Sequence, residues 1–235
     1  MNLDDSFKKF QDSFTKDVKL SNYSWFNLGG NAEFLFKPNN KDQLIEFITE
    51  AKKNNLKTTI LGAGSNTLFR DSGVKGVVIK LGSNFSYTKL INKNTIEVGA
   101  ATLDRKVANF AKDNSLTNFE FLSCIPGSIG GAIIMNSGCY ENDVSKILTS
   151  IQVIDKNDFT EKEIKKEDIN FLYRGTDLKK DLIIISAKFN GLISEKNKIE
   201  KKKLELIERK KLSQPSQIKT CGSTFKNISN DKKAW

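Results

Sequence analysis

Two glycine-rich segments constrain this chain more than any other feature. The first, Leu61-Gly62-Ala63-Gly64-Ser65-Asn66-Thr67, follows an apolar run of β type; the second is Cys124-Ile125-Pro126-Gly127-Ser128-Ile129-Gly130-Gly131-Ala132. Glycine lets a backbone turn tightly and approach a ligand closely, and consecutive amide N–H groups can cradle phosphate oxygens without a charged side chain. A dianionic pyrophosphate is a natural guest for such loops. Neither segment is a Walker loop, because GxxxxGK[ST] is absent. Nor is the first a Rossmann fingerprint: Thr67 stands at the third glycine, and the stretch about twenty residues on, Lys80-Leu81-Gly82-Ser83-Asn84, offers no acid for a ribose. Each segment alone also fits a plain turn. The second, however, runs on through apolar 132–135 into Asn136-Ser137-Gly138, which is too rich in small residues for an ordinary core helix.

Composition then narrows the chemistry. The chain has 235 residues, enough to bury a sizeable core, and no histidine, so a Ser-His-Asp triad, a histidine metal ligand and an imidazole base are all excluded. Its three cysteines, Cys124, Cys139 and Cys221, are odd in number and lack CxxC spacing, which argues against a disulfide framework and against a zinc site. No basic-apolar leader and no run of about 18 apolar residues occurs, so a cytoplasmic protein without a membrane span is expected. The net charge of +10 first suggests nucleic acid, but half of it falls in 196–211, and arginine supplies only Arg70, Arg105, Arg174 and Arg209. With few arginines and no aromatic-interleaved basic stripe, the charge reads as a solvated helix face, and no nucleic-acid partner is expected.

Hydrophobic spacing places the elements. Residues 1–20 read as an amphipathic helix carrying Phe7, Phe10 and Phe14; 34–36 is a short strand; 41–54 is a helix that buries Leu44, Ile45, Phe47, Ile48 and Ala51, capped by Asn40 or Asn39. A strand at 58–61 completes a β-α-β unit ending in the first glycine loop. Further strands are expected at 76–80, 95–98, 151–154 and 182–187, with a helix near 103–113. Ile199, Leu206, Ile207 and Leu212 give the lysine-rich segment an apolar stripe close to helical spacing. The mixture of short strands and segregated helices predicts α+β with two subdomains.

Four motifs converge on a family. GAGSNTLF at 62–69, IPGSIGGAIIMNSG at 125–138, Tyr173-Arg174 and CGSTFKN at 221–227 occur in the order and spacing of the UDP-N-acetylenolpyruvoylglucosamine reductase (MurB) family, which the chain resembles over 25–227. The short stretch between Arg174 and Ser223 is similar to the type II branch. The resemblance implies an FAD-binding fold of the PCMH/vanillyl-alcohol-oxidase type. It divides the chain into an N-terminal helix at 1–20, a cofactor domain at 21–195 with subdomains 21–75 and 76–195, and 196–235 as a linking helix with the start of an incomplete α+β substrate-binding domain. It also implies noncovalent FAD, NADPH as hydride donor, and reduction of a UDP-sugar enolpyruvyl ether to UDP-N-acetylmuramate for peptidoglycan. Lack of histidine fits a flavin without a histidyl bond.

The same resemblance assigns residues. Gly62, Ala63, Gly64, Ser65 and Asn66 would hold the FAD pyrophosphate, while Pro126, Gly127, Ser128, Gly130 and Gly131 would lie along the cofactor. Arg174 would be the cation beside the substrate carboxylate, where charge develops as an enolate forms, and Ser223 would protonate the enolate carbon. Tyr173, Lys226 and Asn227 would bind substrate. No metal and no protein partner is implied. Taken from residue type alone, Arg174 also fits a surface ion pair, Ser223 a turn or helix cap, and Cys221 a small buried hydrophobe.

Several positions depart from the family pattern. Thr176 stands where serine is common, Cys139 and Glu141 where alanine and glycine are frequent, and Ile228 where proline is usual. The family also continues past its serine motif with a helix, further strands and a late glutamate that acts with the arginine; no residue here is assigned to that glutamate. Two other readings remain: a different FAD oxidoreductase of the same fold, and a nucleotide-binding or catalytically impaired fragment. The resemblance therefore predicts that this chain binds FAD weakly or not at all and turns over poorly. NADPH oxidation driven by the enolpyruvyl substrate, compared with a version extended by the family's C-terminal segment, checks this; comparable rates would overturn it.

Overall fold

A computed structural model of the protein describes residues 5–214 together with Phe225 and Asn227. Phe7 and Phe10 lie three residues apart, which suits the three-residue turn of a 3-10 helix, Asp5–Ser13, and both rings are buried in one core. The helix expected over 1–20 stops there. Phe14 instead opens strand β1 (Phe14–Lys19), which runs antiparallel to β2 (Asn31–Phe36) with Phe14 opposite Phe36. In that extended position the Phe14 ring stacks on Phe34 at 4.9 Å, so pairing with β2 overrides helical spacing.

Helix α1 (Lys41–Lys53) starts as expected, with the Asn40 side chain accepting from the Gln43 amide at 2.8 Å, and it buries Leu44, Phe47, Ile48 and Ala51. Strands β3 (Thr58–Ile60) and β4 (Val74–Ile79) complete the first sheet, in the order β1-β2-β4-β3, with β2, β4 and β3 mutually parallel. Strand β4 thus lies between the two strands of the β-α-β unit, and the break expected at 75/76 falls inside it. Both β3 and β4 end at the same edge: the Leu61 amide donates to Ile79 O at 2.9 Å, and the first glycine loop leaves beside Lys80.

The second sheet contains β5 (Thr88–Leu90), β6 (Thr95–Gly99), β7 (Leu148–Asp155), β8 (Glu161–Lys165) and β9 (Leu182–Asn190), ordered β8-β7-β9-β6-β5 and antiparallel throughout. Helices α2 (Asp104–Asp113) and α3 (Ile129–Ile134) pack their apolar residues with Ile96, Val98, Ile151, Val153 and Phe189. Strand β9 is buried on both faces. Ile184 and Phe189 join that core, whereas Ile183 and Ile185 join the core of the first sheet, beside Phe34, Phe36 and Phe47. The pairing of Gln152 with Ser186 and of Val153 with Ile184 leaves Ile185 as an extra residue, a bulge that re-aims the strand.

Helix α4 (Lys196–Ser213) forms as expected, but its stripe is interrupted. Ile199 is buried, Leu212 is 91% exposed, and Lys203 from the lysine-rich face is buried with its ammonium on Asn109 and Glu200. Docking against α2 selects Lys203, whose long apolar stem packs while its head finds partners. Among the described residues no helix is long and apolar enough to cross a membrane.

The Phe36 and Phe47 rings stack at 3.8 Å, at the centre of the first core, and both are fully buried. Phe47→Ala removes that stack and opens a cavity, so urea unfolding should show a loss of about 3–5 kcal/mol.

Candidate functional site

The loop 62–66 has a backbone that its sequence explains. Gly64 has φ +75°, and a Cβ there would stand 1.8 Å from the Tyr23 carbonyl oxygen, so only glycine fits. The Trp25 amide closes the other side by donating to Gly64 O at 3.0 Å. Among the described residues, no acceptor engages the backbone amides of Gly62, Ala63, Gly64, Ser65 or Asn66. They form a row of donors available to an anion.

Two cations stand behind this row. The Lys80 ammonium donates to Gly62 O at 2.6 Å, and Lys37 donates to the Tyr23 hydroxyl at 3.1 Å, with its ammonium 5.1 Å from that ring's centre. Burial, helped by the neighbouring Lys37 charge, draws Lys80 below the ordinary lysine range. Neither lysine pairs with a carboxylate among the described residues, unlike Lys41, Lys162 or Lys188. Sequence reasoning missed Tyr23, Lys37 and Lys80. Only the position of Lys80 directly after a strand could have pointed to it.

The second glycine segment is fixed from behind by residues 100–104. The Ile129 and Gly130 amides donate to Thr102 O at 3.0 Å and Ala100 O at 2.9 Å, and Leu103 bridges Ser128. This docking brings the two loops together: a Cβ on Gly62 would meet Ser128 Oγ at 3.0 Å and lie 4.0 Å from Gly131 Cα. Gly62, Ser128 and Gly131 thus share one place. Gly130 instead faces Ala100, with its amide already engaged, and Gly127 faces Asp104.

Arg174 and Tyr173 form the tip of a small hairpin between Phe171–Leu172 and Gly175–Thr176. Three contacts lay this hairpin on the end of the second segment: Asn136 Nδ2 to Leu172 O at 3.3 Å, Thr176 Oγ1 to Ile134 O at 3.3 Å, and Arg174 Nη2 to Gly138 O at 3.0 Å. Arg174 is half-buried, has φ +57°, and lies 5.2 Å from the Tyr173 ring, which is itself exposed. No carboxylate pairs with it among the described residues, so the surface ion-pair alternative does not hold there. Ser223, Lys226 and Cys221 lie outside the described residues; Asn227 is half-buried.

The rim nearby carries further charge. Arg209 of α4 stands over the Tyr140 ring at 4.4 Å, and Lys210 donates to Cys124 O. The thiols of Cys124 and Cys139 share a hydrogen bond that holds Cys124 below the ordinary thiol range and, together with burial, pushes Cys139 up.

Comparison with known proteins agrees with this geometry. A family described as FAD binding domain matches residues 32–159. The chain is 47% identical over 227 residues to the UDP-N-acetylenolpyruvoylglucosamine reductase of Pelagibacter ubique, covering 95% of this chain and 73% of that protein. It is 40% identical over 216 residues to the enzyme of the same name from Rickettsia felis, covering 91% and 72%. The crystal structure of UDP-N-acetylenolpyruvylglucosamine reductase from Thermus caldophilus superposes with a TM-score of 0.82 at 28% identity, over 93% of this chain and 76% of that one. Phl p 4, a glucose dehydrogenase, shares the fold at a TM-score of 0.57 and 9% identity, over 77% of this chain and 41% of that one. With a matching cofactor-domain family, close relatives covering nearly the whole chain and the two glycine loops in contact, the chain belongs to the UDP-N-acetylenolpyruvoylglucosamine reductase family.

Proposed function

We propose that this chain carries out the FAD-dependent reduction of the enolpyruvyl ether of UDP-N-acetylglucosamine to UDP-N-acetylmuramate, with NADPH as hydride donor. The observation that carries the reading is the approach of Gly62 to Ser128 and Gly131, beside a row of amides and two lysines that, among the described residues, have no acceptor and no carboxylate partner respectively. Small residues, open N–H groups and fixed positive charge are the features that a dianionic pyrophosphate requires, so this wall fits FAD. Gly62, Ala63, Gly64, Ser65 and Asn66 would hold the pyrophosphate, with Pro126, Gly127, Ser128, Gly130 and Gly131 along the cofactor. Residues 21–195 would make up the cofactor-binding domain, and 196–235 would lead into the substrate-binding one.

Bound FAD would supply the redox chemistry, the transfer of hydride from NADPH to the enolpyruvyl group. The residues of the chain supply position and charge. Arg174, anchored through Gly138 O and free of any described acid, would present its planar fork to the substrate carboxylate and stabilise the enolate as negative charge develops. Ser223 would then give its hydroxyl proton to the enolate carbon. A serine is a weak acid, so it serves only when the acceptor is strongly basic and the donor is held close. Tyr173, Lys226 and Asn227 would bind the sugar nucleotide. A hydroxy-acid or alcohol oxidoreductase on the same fold would keep the glycine loops but has no use for Arg174 together with Ser223.

Flavin absorbance after reconstitution, bleaching by NADPH and recovery on adding the enolpyruvyl UDP-sugar test the function directly; a chain that stays colourless with excess FAD would overturn it. Arg174→Met should lower kcat by about a hundredfold or more with FAD affinity unchanged, because one charge-stabilising group is lost from the transition state. Gly64→Ala forces a side chain into the Tyr23 carbonyl at positive φ, so it should abolish FAD binding in a fluorescence titration while the second sheet remains folded.

A further inference from the structure

Asp104 is the most anomalous polar residue among those described. It has no exposed surface, and neither carboxyl oxygen has a hydrogen-bond partner among the described residues. It occupies the first turn of α2, where helix amides usually favour an acid, yet no amide donates to it. Its backbone is tied to the second glycine segment: the Asp104 amide donates to Gly127 O at 3.1 Å, one residue from the Leu103–Ser128 bridge. The side chain points the same way. A Cβ on Gly127 would stand 2.5 Å from Asp104 Oδ2, so the carboxyl occupies the space that a side chain at 127 would take.

We propose that Asp104 is a positioning residue for the cofactor, its carboxyl filling the place beside Gly127 and fixing the Pro126-Gly127-Ser128 turn that sets Ser128 against Gly62. This rests on the FAD reading above and adds a role that none of the four motifs contains.

The charge state follows from the surroundings. Burial alone raises the Asp104 carboxyl well above the ordinary carboxylate range, and no neighbouring cation opposes it. Arg105 and Lys106, on its own turn, are exposed. Of the charged groups on the elements packed against α2, Glu120 pairs with Thr117 and Lys202, Glu200 with Lys112 and Lys203, Lys210 with Cys124 O and Arg209 with the Tyr140 ring, while Lys201, Glu205, Glu208 and Lys211 are exposed. The folded protein therefore keeps the Asp104 proton through a window running from the ordinary carboxylate range up to the raised value. Stability contributed at this position is full below that window and falls as pH rises through it. A pyrophosphate on the far side of the turn would add a second anion, so proton and FAD should bind cooperatively.

The test is FAD affinity by flavin fluorescence from pH 5 to 9, for the wild-type chain and Asp104→Asn, which keeps the size and removes the titration. Lys80 and Cys124 also titrate near the loops, and they are unchanged in the variant, so the ratio of the two affinities isolates Asp104. The two proteins should bind within about twofold while the Asp104 carboxyl is protonated, and the wild type should become about tenfold weaker than Asp104→Asn as pH rises through the raised Asp104 range. Parallel profiles would overturn the proposal while leaving the FAD reading intact; no binding by the wild type at any pH would overturn both. A cycle with Gly127→Ala gives a second reading that does not depend on the asparagine variant. Its loss of FAD affinity should be several-fold smaller in an Asp104→Ala background, where the methyl has room, and additive losses would count against the contact.

Discussion

Strand β9 is buried on both faces, and a chain of hydrogen bonds runs from it to the second glycine segment. Ile183 and Ile185 lie in the first core, and Ile184 and Phe189 lie in the second, so one strand fills both cores, with Ile154 at the end of β7 joining it in the first. The bulge at Ile185 makes this possible and leaves Ile185 O to accept from Ala100 at 2.9 Å. Ala100 O in turn accepts from Gly130. The apolar seam between the sheets therefore fixes residues 100–104, these fix the second glycine segment, and that segment meets the first at Gly62. A short loop on one sheet acquires its neighbour through packing that neither sheet supplies alone.

The electrostatics of the site follow from which charges are left unpaired. Exposed lysines such as Lys53, Lys162 and Lys198 stand beside acids, where each pair contributes little. Lys37, Lys80 and Arg174 have no such partner among the described residues and sit around the two loops instead. The value of +10 for the whole chain says little about function. The position of Lys80 says more, because it is half-buried beside the free amides of the first loop, where partial burial strengthens its field. Asp104 is the inverse case, an acid held without a partner where only its neutral form is comfortable.

Much of this was legible in the sequence, for identifiable reasons. The helix Lys41–Lys53 announced itself by a 3.6-residue stripe and an asparagine cap, and the strands around Ile60, Val98, Val153 and Ile184 by apolar runs between turns. Local signals misled where long-range pairing decides. Phe14 continued a helical stripe but belongs to a strand, because Phe36 lies opposite it and Phe34 stacks on it. Leu212 fitted a stripe of which Ile199 and Leu206 pack but Leu212 itself is exposed, while Lys203, one of many lysines, is buried by its contact with Asn109. In the site, glycine motifs were visible because small residues at fixed spacing leave a pattern. Lys80, Tyr23 and Asp104 were not, since each depends on a neighbour distant in sequence.

The sequence by itself determined the chemical inventory: no histidine, two glycine-rich segments, an arginine and a serine in family motifs, and α+β periodicity. These are properties of residue type and local spacing, which a chain carries before it folds. Only the tertiary structure decided that β4 separates the strands of the first β-α-β unit, that Gly62 touches Ser128, that Arg174 hangs on Gly138 O, and that a carboxyl without partners stands against Gly127. Those relations join residues tens of positions apart, and they are fixed by the burial of β9 in two cores, a global packing condition that no local pattern encodes.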